Sequence, residues 1–378
     1  MIPYENFPSP AYILDESLLI RNLELIQSVK DRAGVHIILA LKGFAMWSVF
    51  PLVRQYLDGA TASSLNEAQL INDYMPDTKA HTYCAAFIPS EFESYLERSS
   101  HITFNSISEY ERYKHYIPQY PEVSFGIRVN PGYSDVGTDL YNPCTPGSRL
   151  GTPANHFENS WPAGLEGLHF HALCENDSYS LERVLASLEE RFGKYLHQLK
   201  WVNMGGGHLM TREGYDIEHL IQLLQNFKEK YQVEIILEPG SAVAWQTGDL
   251  LTTVLDIVDN EGTSTAMLDV SFTAHMPDTL EMPYKPLIEG ATDPAAGKPA
   301  YRMGGMSCLS GDFMGDYSFE NELKVGDRLV LKDMIHYTMV KTTMFNGVGH
   351  PAIAIYTKDK ECKVIREFFY EDYRDRLS

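Results

Sequence analysis

The sequence predicts an α/β barrel, TIM-like with (β/α)8 order, joined to a mostly antiparallel β domain. Three observations predict it. Eight short apolar runs, near 35–41, 59–62, 80–84, 101–104, 123–129, 165–171, 201–204 and 233–237, alternate with amphipathic helical stretches, as a barrel of parallel strands requires. Beyond about residue 245 the texture becomes β-rich, with glycine and proline between the runs and few helical periods. The length of 378 residues exceeds one ordinary core and suits a large barrel with a second domain. The expected boundaries are 15–245 for the barrel, and 1–14 with 246–378 for the β domain.

In chain order, Ala11-Tyr12-Ile13-Leu14 is a short strand ahead of a helix over 15–30, placed to pair with the C-terminal β domain. The stretch 35–41 is almost wholly apolar and reads as a strand buried on both faces. It ends on Lys42-Gly43-Phe44, whereas an open doubly wound sheet would carry a glycine-rich turn there. The stretch 44–57, with Phe50, Leu52, Val53 and Leu57, suits a helix, although Pro51 obscures its start. Leu181, Val184, Leu185, Leu188 and Phe192 recur at helical spacing over 178–193, behind the capping candidates Asn176, Asp177 and Ser178. Leu220, Leu223, Leu224 and Phe227 do the same over 216–231, after Asp216. The clearest β runs of the second domain are 249–258, 327–331 and 351–356.

Composition narrows the function. A hydrophobic fraction of 44% and a charged fraction of 22% are those of a globular protein. The net charge of −20 argues against nucleic acid and anionic membrane as partners and agrees with a cationic substrate. No apolar run is long enough to span a bilayer, and the first residues have neither a basic segment nor an apolar signal core, so a cytoplasmic location is expected. The five cysteines form no C-x-x-C pair and suggest no disulfide framework.

Chemistry in such a barrel collects at the C-terminal strand ends. The first strand delivers Lys42, which either snorkels into water or is a desolvated, reactive amine. The fifth carries Arg128, costly if unpaired inside a strand. The sixth delivers His169 and His171, whose alternation is read as pointing them to opposite faces. The seventh ends in Gly205-Gly206-Gly207, whose N–H groups could converge on an anion with help from the dipole of the following helix. The eighth ends in Glu238-Pro239-Gly240-Ser241. Singly, each has an ordinary explanation as a core histidine, a loop or a turn. Together, an amine, an anion cradle, a carboxylate for a protonated ring nitrogen and a histidine that can stack describe a pocket for pyridoxal phosphate. A metal fits worse, because the two histidines are expected to splay and no H-E-x-x-H or C-x-x-C is present.

These residues carry a resemblance. Ala40-Leu41-Lys42, Gly167-Leu168-His169-Phe170-His171, Gly205-Gly206-Gly207 and Glu238-Pro239-Gly240 resemble the fold-type III, alanine-racemase-like pyridoxal-phosphate decarboxylases. Gly304-Gly305-Met306-Ser307-Cys308-Leu309-Ser310-Gly311-Asp312, Gly315-Asp316-Tyr317, His275-Met276-Pro277-Asp278, Glu281-Met282-Pro283-Tyr284 and His171-Ala172-Leu173-Cys174-Glu175 are similar to the carboxynorspermidine/carboxyspermidine decarboxylase branch. The resemblance implies that Lys42 holds the cofactor, His171 stacks on its ring and Arg128 lies near the phenolic oxygen. It implies that Gly206, Gly207, Gly240 and Tyr337 serve the phosphate, and that Glu238 faces the pyridine nitrogen and borders the substrate. It implies that Cys308 reaches a neighbouring subunit's site as the proton donor, and that His275, Asp278 and Asp312 contact a cationic, carboxylated polyamine. It implies a homodimer with shared active sites. Two departures from the broader family, Leu173-Cys174-Glu175 in place of an early Gly-Ser and Ser241 in place of an arginine, suit this branch. The competing readings are a racemase, a diaminopimelate or related basic amino-acid decarboxylase, and a non-catalytic homologue that binds the cofactor or a partner. Glu238 argues against the racemase, and retention of Lys42 and Cys308 against the non-catalytic homologue.

Overall fold

The computed structural model describes residues 2–137, 141–157 and 160–378. The chain divides into two compact units, Asn22–Val243 and Met1–Arg21 with Ala244–Ser378.

The strands are β1 (Ala11–Asp15), β2 (His36–Ile37), β3 (Leu39–Ala40), β4 (Ala60–Ala62), β5 (Ala80–Tyr83), β6 (Ser99–Phe104), β7 (Ser124–Arg128), β8 (Gly167–His169), β9 (Trp201–Asn203) and β10 (Glu234–Leu237). From β2 to β10 they form one parallel sheet in the order β2-β10-β9-β8-β7-β6-β5-β4-β3. The first barrel strand is interrupted at Ile38, and its halves serve different neighbours: β2 pairs with β10 and β3 with β4. Ile38 N–H donates to Leu237 O at 3.0 Å and Leu39 N–H to Gly59 O at 2.9 Å, so one strand closes the ring. The predicted α/β barrel is the observed one.

Its interior is filled by side chains. Trp201 packs with Ile38 and Ile236 in a buried cluster, and its Nε1–H donates to Ser124 Oγ at 2.8 Å. The indole lies over two glycines on neighbouring strands: a Cβ on Gly167 would fall 1.9 Å from the ring and one on Gly126 2.3 Å from it. The ring is buried and hydrogen-bonded through Nε1, so displacing it breaks packing and a hydrogen bond. Gly167→Ala is therefore expected to destabilise the protein by about 1–3 kcal/mol, read as a lowered urea midpoint; an unchanged midpoint would show that the barrel interior can yield.

Helices pack outside. Ser178–Leu196 buries Leu181, Val184, Leu185, Leu188 and Phe192, and Asp177 caps it by accepting from Ser180 N–H at 2.9 Å. Ile217–Tyr231 is capped by Asp216, which accepts from His219 N–H at 2.9 Å; it buries Leu220, Ile221, Leu224 and Phe227, with Leu223 only half-buried. The helix expected over 44–57 shortens to a 3-10 turn, Trp47–Val49, and Phe50–Val53. Pro51 sits in the first turn of the latter, where its missing N–H costs nothing, and so marks a helix start instead of an interior.

The other unit contains β11 (Gly248–Asn260), β12 (Thr263–Leu268), β13 (Ala291–Thr292), β14 (Ala300–Gly304), β15 (Phe313–Phe319), β16 (Arg328–Leu331), β17 (Ala352–Tyr356) and β18 (Cys362–Arg366). With β1 they form a mixed, mostly antiparallel sheet in the order β13-β15-β14-β12-β11-β1-β17-β18, with β16 on β11. β1 runs antiparallel to β11 and parallel to β17. Phe7, Ala11, Ile13, Leu251, Val330, Ala352 and Ala354 form its core. The N-terminal strand thus joins the C-terminal sheet, as expected.

Candidate active site

A cavity at the C-terminal ends of the barrel strands is lined by Ala40, Lys42, Thr61, Ser63, Tyr83, Arg128, His169, His171 and Glu238. Lys42 follows β3 in a turn closed by Gly43 N–H to Ala40 O at 3.0 Å. Here the loop passes the one after β10 backbone to backbone. A Cβ on Gly43 would sit 2.7 Å from Gly240 Cα, so Gly43 and Gly240 allow the two loops to touch.

Lys42 Nζ lies 3.2 Å from His171 Nε2, and His171 Nδ1 accepts from Gly206 N–H at 2.9 Å. A neutral His171 therefore keeps its proton on Nε2, toward the amine. Burial, with the cations Lys42 and Arg128 beside it, pushes the His171 pKa well below the usual range. Crowding within the barrel, then Arg128, lowers the amine of Lys42, and Glu238 opposes them. The amine is also exposed at the barrel mouth, where water retains part of its charge.

Arg128 is 4% exposed. Its Nη2 donates to His171 O at 3.2 Å and its guanidinium lies 4.8 Å from the centre of the Tyr83 ring. Among the described residues no carboxylate pairs with it. Glu238 Oε1 accepts from Asn203 Nδ2 at 2.7 Å, and Oε2 stands 3.5 Å from His169 Nε2. Burial opposes ionisation of Glu238. The His169 contact and the shorter Asn203 bond outweigh it and hold the carboxyl at about 2. The Asn203 bond is the firmer of the two, since 3.5 Å is long for a hydrogen bond.

Two expectations are corrected. His169 and His171 do not point to opposite faces: both line this cavity. Residues two apart share a strand face. Splaying is therefore no reason against a metal, although among the described residues no three His, Cys, Asp or Glu side chains gather to hold one. The glycine triplet also differs from the anticipated cradle. Gly205 N–H donates to Asn203 Oδ1 at 2.9 Å and Gly206 N–H to His171 Nδ1, and the next helix begins only at Ile217 under its own Asp216 cap. What demands glycine here is close approach. A Cβ on Gly206 would lie 2.4 Å from Glu238 O, and one on Gly207 2.2 Å from Leu173 O.

Sequence reasoning misses Tyr83, Asn203 and Glu67 as parts of this site and gives His169 no role in it. Tyr83 stacks on His169 at 5.3 Å and donates to Asn105 Oδ1 at 2.8 Å. Glu67 accepts from Ser63 N–H at 2.6 Å and feels the charge of Lys42, while burial raises its carboxyl. The Ser64-x-x-Glu67 capping pattern directly after β4 was the available signal for it.

The remaining candidates belong to the β unit. Cys308 is exposed, and its N–H donates to Asn346 Oδ1 at 2.9 Å. Asp312 is buried, Oδ1 accepting from Thr273 N–H at 3.1 Å and Oδ2 from Ser307 N–H at 3.0 Å. Asp278 Oδ2 accepts from Thr338 Oγ1 at 2.7 Å and Tyr284 OH at 2.9 Å, while Oδ1 is buried without a partner among the described residues. Tyr337, half-buried, begins a short helix beside Thr338. His275 has no exposed surface; its Nδ1 accepts from Ser271 N–H at 3.1 Å, and burial lowers its pKa to about 4. In this chain it is a core residue, not one open to a substrate.

Pyridoxal phosphate fits the barrel cavity on this chain's own chemistry. Among the described residues Arg128 is a buried cation with no paired carboxylate, Glu238 is a buried carboxylate with no lysine or arginine in hydrogen-bond reach, and Lys42 is a depressed amine lining the same cavity. A parallel barrel with that amine at its mouth and a mixed β unit is the architecture of the barrel class of pyridoxal-dependent enzymes. The family model described as "Pyridoxal-dependent decarboxylase, C-terminal sheet domain" matches residues 11–335, and the chain belongs to that family. It is 48% identical over 373 residues to the carboxyaminopropylagmatine decarboxylase of Synechocystis sp., covering 98% of this chain and 96% of the relative. It is 45% identical over 381 residues to the carboxynorspermidine/carboxyspermidine decarboxylase of Campylobacter jejuni, covering 98% of each. The crystal structure of carboxynorspermidine decarboxylase from C. jejuni, complexed with norspermidine, superposes with a TM-score of 0.90 at 43% identity, over 98% of this chain and 100% of that one. The protein is a decarboxylase that uses pyridoxal phosphate.

Proposed function

We propose that the protein decarboxylates a cationic polyamine that carries one carboxylate, acting as a cytoplasmic homodimer with shared active sites. The observation that carries the reading is Lys42 Nζ at 3.2 Å from His171 in a cavity shared with Arg128 and Glu238. Pyridoxal phosphate, when bound, supplies an electron sink for the carbon that loses CO2. Lys42 would hold it through its amine, His171 would lie against its ring, Arg128 would meet its phenolic oxygen, and Glu238 would keep a proton on the ring nitrogen. Gly207, whose N–H has no internal acceptor among the described residues, would serve the phosphate with Gly240 and Tyr337, whereas Gly206 would only line it, its N–H being held by His171 Nδ1. Cys308 of the neighbouring subunit returns a proton to the carbon. Asp278, with one oxygen unpartnered, receives a distal cation of the substrate. Among the described residues no helix is long and apolar enough to cross a membrane.

The substrate of first choice is carboxynorspermidine or carboxyspermidine, which differ by one methylene. That difference is worth about 1–3 kcal/mol in a pocket. A second reading, a distal guanidinium instead of an ammonium, rests on the 48% identity to the Synechocystis enzyme. CO2 release from carboxynorspermidine, carboxyspermidine, carboxyaminopropylagmatine and meso-diaminopimelate tests both. We expect one of the first three to be turned over at least about tenfold faster than the rest. Turnover of meso-diaminopimelate alone would sink the proposal.

A further inference from the structure

Cys308 sits at the tip of the connection between β14 and β15, and two side chains hold that connection in shape. Asp312 is 4% exposed and braces its base. Its Oδ2 accepts from Ser307 N–H at 3.0 Å, and its Oδ1 reaches across to Thr273 N–H at 3.1 Å. Its own backbone closes the loop, with Gly305 N–H donating to Asp312 O at 2.7 Å and Asp312 N–H to Leu309 O at 2.9 Å. The carboxylate presses on the backbone of Gly305, where a Cβ would come within 2.5 Å of it. At the tip, Cys308 N–H donates to Asn346 Oδ1 at 2.9 Å. Asn346 presents that oxygen from a left-handed backbone with φ +57°, a conformation that asparagine adopts more readily than most residues.

Each Asp312 oxygen already takes a backbone N–H, and the group lies beneath the loop. A residue that receives a substrate cation would instead keep an oxygen without an internal partner, as Asp278 Oδ1 does among the described residues. We propose that Asp312 and Asn346 are positioning residues that clamp the Cys308 loop, and that Asp312 is not the substrate's cation partner. This rests on the reading of Cys308 as the proton donor. A thiol that must reach one carbon is useful only if its backbone is held, and misplacement by about 1 Å can cost about 100-fold in rate.

The test uses the holoenzyme. Asn346→Gly removes the acceptor and keeps the left-handed backbone, whereas Asn346→Asp keeps both. Asp312→Asn turns one acceptor into a donor facing a backbone N–H. For each, the alkylation rate of Cys308 by iodoacetamide is followed by peptide mass spectrometry, alongside kcat and KM. We expect Asn346→Gly and Asp312→Asn to raise the alkylation rate about tenfold and lower kcat by about 10–100-fold, with KM within about twofold and Asn346→Asp near wild type. Unchanged alkylation in both variants overturns the clamp. A raised KM at constant kcat in Asp312→Asn overturns the exclusion of Asp312 from substrate binding. Should Asp312→Asn fail to fold, Asn346→Gly against Asn346→Asp decides alone. Failure of the proton-donor reading is separate: it appears as a Cys308→Ala enzyme with wild-type kcat, and the alkylation rates still decide whether the clamp exists.

Discussion

Lys42→Ala is expected to yield a folded protein without the visible absorbance of bound cofactor and with turnover lowered at least ~10³-fold. The size of the effect follows from the role. A residue that would hold the cofactor through its amine would act in more than one step, and no neighbour could replace it. His171, at 3.2 Å, has no primary amine, and Arg128 carries a guanidinium that does not lose its charge. Folding should be spared, because Lys42 is exposed at the barrel mouth and its only close polar neighbour among the described residues is His171. Lys42→Arg separates charge from chemistry: it keeps a cation there and should be equally inactive. A Lys42→Ala protein that kept both the absorbance and the turnover would return this residue to the ordinary reading of a strand-end lysine in water.

Glu238→Gln is expected to lower kcat by about 100–1,000-fold with a smaller change in KM. Glutamine keeps the shape and can still accept from Asn203, but it brings no negative charge to a ring nitrogen. The pH dependence has a definite sign. The Glu238 carboxyl lies at about 2, below its ordinary value. It is therefore an anion throughout the working range, and its protonation does not shape a pH–rate profile near neutrality. A carboxyl depressed by folding contributes stability that is present above the unfolded pKa and is lost as pH falls through the folded one. For Glu238 that window runs from about 4.3 down to about 2. Wild type should accordingly lose stability in that window by a margin that Glu238→Gln does not share, measurable by circular dichroism during acid titration. Equal acid sensitivity of the two proteins, with kcat unchanged, would remove Glu238 from the site.

Much of the barrel was legible because each strand carries its own signal. Buried parallel strands are mostly apolar, so runs such as 35–41, 123–129 and 233–237 stand out, whereas β5, Ala-His-Thr-Tyr with only alternate residues buried, gives a weaker signal. The helices over 178–193 and 216–231 were legible for the same local reason, since period and cap lie within one segment. The β unit was less so. β14, Ala-Tyr-Arg-Met-Gly, is too short for its alternation to stand out, β15, Phe-Met-Gly-Asp-Tyr-Ser-Phe, mixes polar and apolar residues without alternation, and β18 lies at the sheet edge with most of its side chains in water. Strands like these are defined by their neighbours.

The site divides along the same line. Lys42, Arg128, His171 and Glu238 were legible because a charged or titratable residue at the end of a buried strand is anomalous wherever the chain goes next. Tyr83 and Asn203 were not, since neither is unusual in its own segment; they matter because of the groups that the barrel brings beside them. The glycine triplet shows the gap most directly. Its position was evident, yet whether its N–H groups were available depended on Asn203 and His171, which arrive from other parts of the barrel.

By itself the sequence determined the barrel and the cofactor class, and it singled out Lys42 as the amine proposed to hold that cofactor, because charged groups at the ends of apolar strands, such as Lys42 and Glu238, are locally anomalous. The tertiary structure alone decided which oxygens and N–H groups are already taken: that Asp312 braces a loop, that His169 shares the cavity with His171, and that Gly205 and Gly206 spend their donors internally. Hydrogen bonds are short and saturable, so their allocation depends on distances between segments far apart in the chain.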